Sequence, residues 1–166
     1  MPKFLKITLL ISASLVVIGF IYLKWSAADA GEEAPEIQAV LVDGTDFKLS
    51  DLRGEYVLLS FWGSWCGPCR VKTPAMIDLH QKYKSKLKIV SIALEKEANA
   101  GIMCAKQDGF SWKHQIVEES SFVMLSSTAQ KYGVSDIPSM FLISPEGILL
   151  GKMSLEEVEK WMAKLN

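Results

Sequence analysis

Hydrophobic residues are distributed along the chain in two ways: one long uncharged segment near the start and a series of short apolar runs after residue 36. The long segment covers residues 7–23, and lysines flank it on both sides. The short runs alternate with stretches in which apolar residues recur every three or four positions. Short apolar runs favour strands, and the wider spacing favours helices. The pattern therefore predicts an α/β domain behind a separate N-terminal segment.

The domain is predicted to open with a hairpin, because residues 37–42 and 47–49 have strand-like sequences on either side of the turn dipeptide Asp43-Gly44. The run 56–62 is apolar almost throughout, which is typical of a strand buried on both faces of a sheet. Further strands are predicted at 87–94, 112–117, 140–143 and 148–150, and helices at 71–83, 99–108, 121–133 and 155–165. We expect a mixed central sheet with helices on both faces and an antiparallel pair at its end.

The N-terminal segment has two main interpretations. Seventeen residues in a helix extend about 25 Å, near the short end of what crosses a hydrocarbon core of about 30 Å, so residues 1–24 are predicted to be a signal anchor or transmembrane segment. A cleaved signal peptide, with Ala28-Asp29-Ala30 at the cleavage site, and a buried core helix are the alternatives. Under the first two, the rest of the chain lies on the exocytoplasmic side, periplasmic or extracellular, where disulfides persist.

Composition and charge define the domain boundary and exclude one class of partner. Residues 25–35 are small and acidic and lack apolar periodicity, so we interpret them as a linker and assign the domain to residues 36–166. The 166 residues leave room for one ordinary domain. The net charge is −1, and no basic run provides the positive surface that a nucleic-acid backbone requires. The sequence therefore excludes nucleic acid as a partner.

Two cysteines follow the predicted central strand at the point where a helix begins, in the sequence Trp65-Cys66-Gly67-Pro68-Cys69. This spacing places two sulfurs within disulfide reach, and the helix N-terminus favours a thiolate at Cys66. We therefore expect Cys66 to be the more accessible, attacking thiol and Cys69 to be the shielded, resolving thiol. Gly67 permits close approach of a partner backbone, and Pro68 occupies a position where its missing N–H costs nothing. Trp65 is expected to form an apolar rim around the substrate.

Two other roles for the cysteine pair compete with redox chemistry. A structural zinc site needs two further ligands, but Cys104, His80 and His114 form no second pair at metal-ligand spacing. A structural disulfide that closes a loop of four residues removes little chain entropy. The pattern therefore favours a redox site that uses neither a metal nor another cofactor. Cys104 itself is interpreted as a small buried hydrophobic residue.

The residues around the motif extend this interpretation. Residues 60–70 resemble the active-site segment of the thioredoxin superfamily, and Pro74 matches as well. Residues 132–142, which contain Ile137-Pro138, resemble the cis-proline segment of that family. The resemblance implies a thioredoxin-like fold and a redox-active disulfide between the two cysteines of the motif. It also implies a cis Ile137-Pro138 bond beside them, with the Ile137 backbone free to pair with an extended substrate.

A narrower resemblance concerns one branch of this superfamily. Residues 34–36, 49–54 and the extra segment 95–119 are similar to the membrane-anchored TlpA/ResA-type branch. This resemblance implies a thiol-disulfide oxidoreductase that reduces disulfides in exported proteins such as apocytochrome c and receives electrons from a membrane donor. An oxidase or isomerase of protein disulfides uses the same chemistry and remains an alternative, as does a thiol peroxidase.

Two positions depart from the family. Thioredoxins usually have an aspartate at the position of Ser60, and TlpA/ResA-type proteins often have a glutamate at the position of Lys72. Glu95, predicted at the C-terminal end of its strand, is our candidate for the missing proton-handling acid, with a solvated surface acid as the alternative. Lys72 lies three residues after Cys69 on the same helix face, where we expect its ammonium group to favour the Cys69 thiolate. The alternative is that Lys72 extends into water and that its charge is screened.

Overall fold

The computed structural model describes residues 8, 11–19 and 27–165. Residues 11–19 are helical and exposed. Within these described ranges, no helix combines the length and the hydropathy needed to cross a bilayer. Much of the predicted anchor, residues 1–24, lies outside the described residues, so its role stays a prediction.

Five strands form the main sheet of residues 27–165, in the spatial order β5-β4-β3-β6-β7. The middle strand β3 (Tyr56–Trp62) pairs in parallel with β4 (Leu87–Glu95) and antiparallel with β6 (Ser139–Ile143). The outer strands are β5 (His114–Glu119), parallel to β4, and β7 (Leu149–Lys152), antiparallel to β6. The predicted mixed sheet, its central strand and its final antiparallel pair are confirmed.

Helices cover both faces of this sheet. Residues 27–165 contain four α-helices: α1 (Gly67–Tyr83), α2 (Ala98–Gln107), α3 (Ser127–Lys131) and α4 (Leu155–Ala163). Side chains of α1 and α4 pack together on one face, α2 lies on the same face nearer the cysteines, and α3 packs on the other face. The N-terminus of α4 has a capping box, in which Ser154 and Glu157 exchange side-chain and backbone hydrogen bonds.

The central strand is buried on both sides, which explains why its sequence is apolar except at Ser60. Val57, Leu59 and Phe61 pack on the α3 side, whereas Leu58 and Trp62 pack on the side of α1 and α2. The sheet therefore fixes the end of β3 from both faces. The loop that leads into the two cysteines starts from this fixed end.

The opening hairpin forms a separate two-stranded sheet of β1 (Gln38–Val40) and β2 (Asp46–Lys48). Its strands are shorter than predicted, because the turn takes up more of the sequence. The Asp43 carboxylate accepts hydrogen bonds from the Thr45 N–H at 3.0 Å and from the Thr45 hydroxyl at 2.6 Å. Gly44 has φ of +84°, which glycine adopts without strain. The predicted turn position is thus confirmed.

Part of the predicted linker lies along the outer edge of β7. The Gly31 N–H donates to the Leu149 carbonyl at 2.8 Å, and the Leu149 N–H donates to the Glu32 carbonyl at 2.9 Å. The Glu33 carboxylate pairs with the Arg53 guanidinium at 2.7 Å. This stretch pairs backbone groups that an open sheet edge leaves exposed. It is therefore attached to the domain by hydrogen bonds.

The helix predicted at 121–133 is wrong. The structure instead has a 3-10 turn, Val123–Leu125, followed by the short helix α3. Ser126 separates the two with an extended backbone, and its hydroxyl accepts the Ala129 N–H at 2.9 Å. A serine in this capping conformation begins a new helix and cannot continue the preceding turn.

His114 provides a pH-dependent prediction. Its ring packs near Phe47, with centroids 5.4 Å apart, and burial lowers the pKa of its imidazole, with Lys113 and Lys88 lowering it further. The unfolded chain therefore binds this proton more readily than the folded one. We expect the free energy of unfolding to fall as pH drops below about 6.5, the unfolded pKa of histidine, and to level off below the folded pKa.

Urea unfolding at pH 7.5 and pH 5.5 measures this effect. The wild-type protein should lose stability over this interval, and His114→Gln should lose less. The His80 pKa is also lowered by burial, so the double variant with His80→Gln should lose least. Equal losses in the wild type and His114→Gln would contradict the assignment.

Candidate active site

The two cysteines of the motif lie where β3 ends and α1 begins. They form a disulfide with a Cα–Cα distance of 5.3 Å. Cys66 is the N-cap residue of α1, and Pro68 lies in the first turn, where a proline interrupts no helical hydrogen bond. The helix starts four residues earlier than its apolar spacing predicted, because Gly67 and Pro68 carry no periodic hydrophobic signal.

The sulfur of Cys66 lies among groups that favour a thiolate. It accepts the Cys69 N–H at 3.2 Å, and it lies at the positive end of the α1 dipole. In the reduced protein these interactions stabilise negative charge on Cys66. Both cysteines are 5% exposed, so the expectation of a more accessible Cys66 is wrong for the oxidised protein. Cys66 packs in the same apolar cluster as Cys69 and Trp62.

The Ile137-Pro138 segment lies against the cysteines. The Ile137 carbonyl oxygen is 3.7 Å from the Cys66 sulfur, and the Ile137-Pro138 bond is cis, as expected. Ile137 also packs against the apolar cluster that contains both cysteines. Pro138 and Cys69 line the same narrow pocket. The structure therefore brings a segment some seventy residues away in sequence into contact with the motif.

Ser60 and Lys72 are both close to Cys69. Ser60 is buried on β3 beneath α1, and it lines the narrow pocket with Cys69, Lys72 and Pro138. Trp62 lines this pocket too, and its buried indole N–H has no hydrogen-bond partner among the residues that the structure describes. The two positions that depart from the resemblance thus meet beside Cys69.

Lys72 leads to a testable prediction. Lys72 is exposed. We expect its ammonium group to favour the Cys69 thiolate, and stabilising a thiolate stabilises the reduced form of the couple. Lys72→Glu should therefore give a more negative reduction potential. Since exposed charge pairs contribute less than about 1 kcal/mol, the shift should be on the order of 10–20 mV.

Equilibration with glutathione at low salt measures this shift. Lys82→Glu is the matched control, because Lys82 lies on the same helix but pairs with Glu159 at 2.7 Å. Lys82→Glu should leave the potential unchanged. Equal potentials for the wild type and Lys72→Glu at low salt would contradict the assignment.

Trp65 and Glu95 lie on the other side of the cysteines. Trp65 is 60% exposed, and its indole N–H donates to the Leu94 carbonyl at 2.9 Å. Glu95 ends β4 at the active-site edge, as predicted. Its carboxylate accepts hydrogen bonds from the Ser64 N–H and the Ser64 hydroxyl. Ser64 was missed by the sequence analysis, although it stands within the motif segment.

An ion pair behind the motif was also missed. The Arg70 guanidinium donates two hydrogen bonds to the Asp108 carboxylate, at 2.9 and 2.7 Å. These bonds hold the pKa of Asp108 below its usual value. The Cys104 sulfur lies 3.6 Å from Asp108, and burial raises the pKa of its thiol. Cys104 is thus the buried residue that was expected. Within the described residues, no group of three or more His, Cys, Asp or Glu could hold a metal.

Comparison with known proteins identifies the group to which this fold and motif belong. The sequence profile of the AhpC/TSA family matches residues 30–151. The chain belongs to the AhpC/TSA family. It is 31% identical over 137 residues to the thiol-disulfide oxidoreductase ResA of Bacillus subtilis (strain 168), covering 80% of this chain and 73% of that protein. It is 30% identical over 140 residues to ResA of Bacillus anthracis, covering 81% and 78% respectively.

Solved structures are similar over nearly their whole length. A putative thiol:disulfide interchange protein DsbE from Chlorobium tepidum has a TM-score of 0.74 and 28% identity, covering 83% of this chain and 98% of that one. A thiol-disulfide oxidoreductase from Bacteroides fragilis NCTC 9343 has a TM-score of 0.73 and 26% identity, covering 81% and 100%. This member of the AhpC/TSA family is therefore a thioredoxin-like thiol-disulfide oxidoreductase of the ResA/DsbE type with a Cys-x-x-Cys pair.

Proposed function

We propose that this oxidoreductase reduces disulfide bonds in exported proteins, apocytochrome c among them. The observation that carries the proposal is the position of the Cys66 sulfur, which lies at the N-terminus of α1 and 3.7 Å from the Ile137 carbonyl. The helix N-terminus makes Cys66 a nucleophile, and the neighbouring backbone offers a place for the client chain.

The exchange has two steps. In the first, the Cys66 thiolate attacks one sulfur of the client disulfide, a mixed disulfide forms, and the other client sulfur leaves as a thiolate that takes a proton. In the second, Cys69 loses its proton and attacks the Cys66 sulfur, and the first client sulfur leaves as a thiolate that takes up a proton. The products are a client dithiol and the Cys66–Cys69 disulfide seen in the structure.

The client is held by groups that surround Cys66. An extended client segment pairs with the backbone of Ile137, as an added strand does. A Cβ atom placed on Gly67 would meet nothing within 4 Å, so a client backbone can approach the start of α1 beside Pro68. The exposed ring of Trp65 supplies an apolar contact.

We also propose that residues 1–24 anchor the protein, with its domain on the exocytoplasmic side. The uncharged run 7–23 and the lysines before it support this proposal. Each round of client reduction leaves the cysteine pair oxidised, so the cycle requires a reductant. A dithiol donor in the same membrane meets this requirement.

Insulin reduction and peroxide consumption, measured side by side, distinguish thiol-disulfide exchange from peroxidase activity. With dithiothreitol as the source of electrons, the wild-type protein should accelerate precipitation of the insulin B chain, and Cys66→Ser should not. Peroxide should disappear no faster than in the blank. Peroxide consumption without insulin reduction would indicate a peroxidase and would contradict the proposal.

A further inference from the structure

Glu95 is a buried acid that the proposed exchange does not use. It is 2% exposed at the end of β4, and its carboxylate accepts the Ser64 N–H at 2.5 Å and the Ser64 hydroxyl at 2.9 Å. Burying a carboxylate is costly unless hydrogen bonds compensate for the lost water. Both compensating bonds come from Ser64, so the position of Ser64 and the position of the Glu95 carboxylate depend on each other.

The surroundings of Glu95 keep it in place. A Cβ atom on Gly101 of α2 would lie 3.0 Å from the Glu95 Cγ and 3.1 Å from the Ala93 Cβ, so the helix backbone approaches the acid closely. The Ser120 N–H donates to the Glu95 carbonyl at 2.6 Å. Glu95 is therefore held from the α2 side and from the loop after β5.

The turn 63–66 carries Cys66 from β3 into α1. Its own closing bond joins the Cys66 N–H to the Gly63 carbonyl at 3.0 Å. Two consecutive residues of the turn are then attached to the end of β4: Ser64 to the Glu95 carboxylate, and Trp65 to the Leu94 carbonyl. The neighbouring strand thus fixes the turn from outside.

We propose that Glu95 is a positioning residue of the redox centre, which acts through Ser64 to hold the turn 63–66 and so sets the orientation of Cys66 and Trp65 toward the client. The inference rests on the proposed function for its effect on client reduction, but the hydrogen bonds exist independently of any client. It gives Glu95 a role different from proton handling, because both hydrogen bonds go to the turn. A small displacement of a reacting group lowers a rate strongly.

A double-mutant cycle tests this role. Glu95→Ala removes both hydrogen bonds and should lower kcat/KM for insulin reduction about tenfold. Ser64→Ala removes only the bond from the hydroxyl and keeps the one from the backbone N–H, so it should lower kcat/KM by a smaller factor. The double variant should be no slower than Glu95→Ala alone, since Glu95→Ala already removes the hydroxyl bond that Ser64→Ala removes. Glu95→Gln should retain most of the activity, because its amide can accept from and donate to Ser64. The rate of Cys66 alkylation in the reduced protein is measured in parallel, and it should follow the same order.

Glu119→Ala is the matched control. Glu119 lies opposite Glu95 in the sheet register, and its carboxylate accepts the Ala98 N–H of α2 instead of a group in the turn. Its substitution should leave both rates unchanged. If Glu95→Ala does not fold, Ser64→Ala and Glu95→Gln decide the matter.

Two results would overturn the proposal. The first is a Glu95→Gln variant that reduces insulin as slowly as Glu95→Ala or Ser64→Ala and whose pH–rate profile has lost one limb. This result would indicate that Glu95 handles a proton. The other is an additive loss in the double variant. Alkylation of Cys66 needs no client, so it can be measured even if the protein does not reduce insulin. Unchanged alkylation rates would contradict the role of Glu95, whereas a lack of insulin reduction by the wild type would contradict the proposed function.

Discussion

Replacing Cys69 with serine is expected to convert the protein into a trap that keeps its clients bound through Cys66. The attack by Cys66 still forms the mixed disulfide, but no second thiol is left to release the client. Cys66→Ser should trap nothing and should reduce insulin no faster than dithiothreitol alone, because it lacks the thiolate that begins the exchange.

Non-reducing electrophoresis followed by mass spectrometry identifies the trapped cysteine. Cys104→Ser in the Cys69→Ser background is the control, since Cys104 is 7% exposed and burial raises the pKa of its thiol. This double variant should trap the same amount of client as Cys69→Ser alone. A client attached to Cys104 would contradict the assignment of Cys66.

Phe61→Ala should be the most destabilising of the substitutions considered. Phe61 is 0% exposed on β3, and its ring lies 5.9 Å from that of Tyr132 and 6.1 Å from that of Phe141. Truncation removes buried apolar surface and leaves a cavity between these rings, which costs about 3–5 kcal/mol. Total stabilities of single domains are about 5–15 kcal/mol, so the loss is a large fraction of the whole.

Urea unfolding of the oxidised protein measures this loss. Phe122→Ala is the matched control, because Phe122 is 70% exposed, and its truncation should change the free energy of unfolding by less than about 0.5 kcal/mol. Similar losses for both variants would contradict the account of the core.

Elements with local signals could be predicted from the sequence. The boundaries of β3 are those of its apolar run, because burial on both faces favours apolar residues along the whole strand, with Ser60 as the exception. The capping box at Ser154 and Glu157 is confirmed because its partners are three residues apart. The position of the cysteine pair could also be predicted, because the strand, the turn and the start of the helix follow one another directly in the sequence.

Contacts between distant residues could not be predicted. Ser64 and Glu95 are separated by 31 residues, and Arg70 and Asp108 by 38, so no periodicity links them. The expectation of an accessible Cys66 failed for a related reason. It considered only the helix that carries Cys66, while the Ile137 segment that lies against the sulfur comes from another part of the chain.

The reduction potential of the Cys66/Cys69 couple tests the central claim most directly. Equilibration of the purified protein with glutathione mixtures at pH 7, followed by alkylation and mass spectrometry, gives this potential. A protein that reduces client disulfides should have a two-electron couple more negative than about −200 mV, on the side of thioredoxin at about −270 mV. A potential near that of the oxidant DsbA, about −120 mV, would contradict the account.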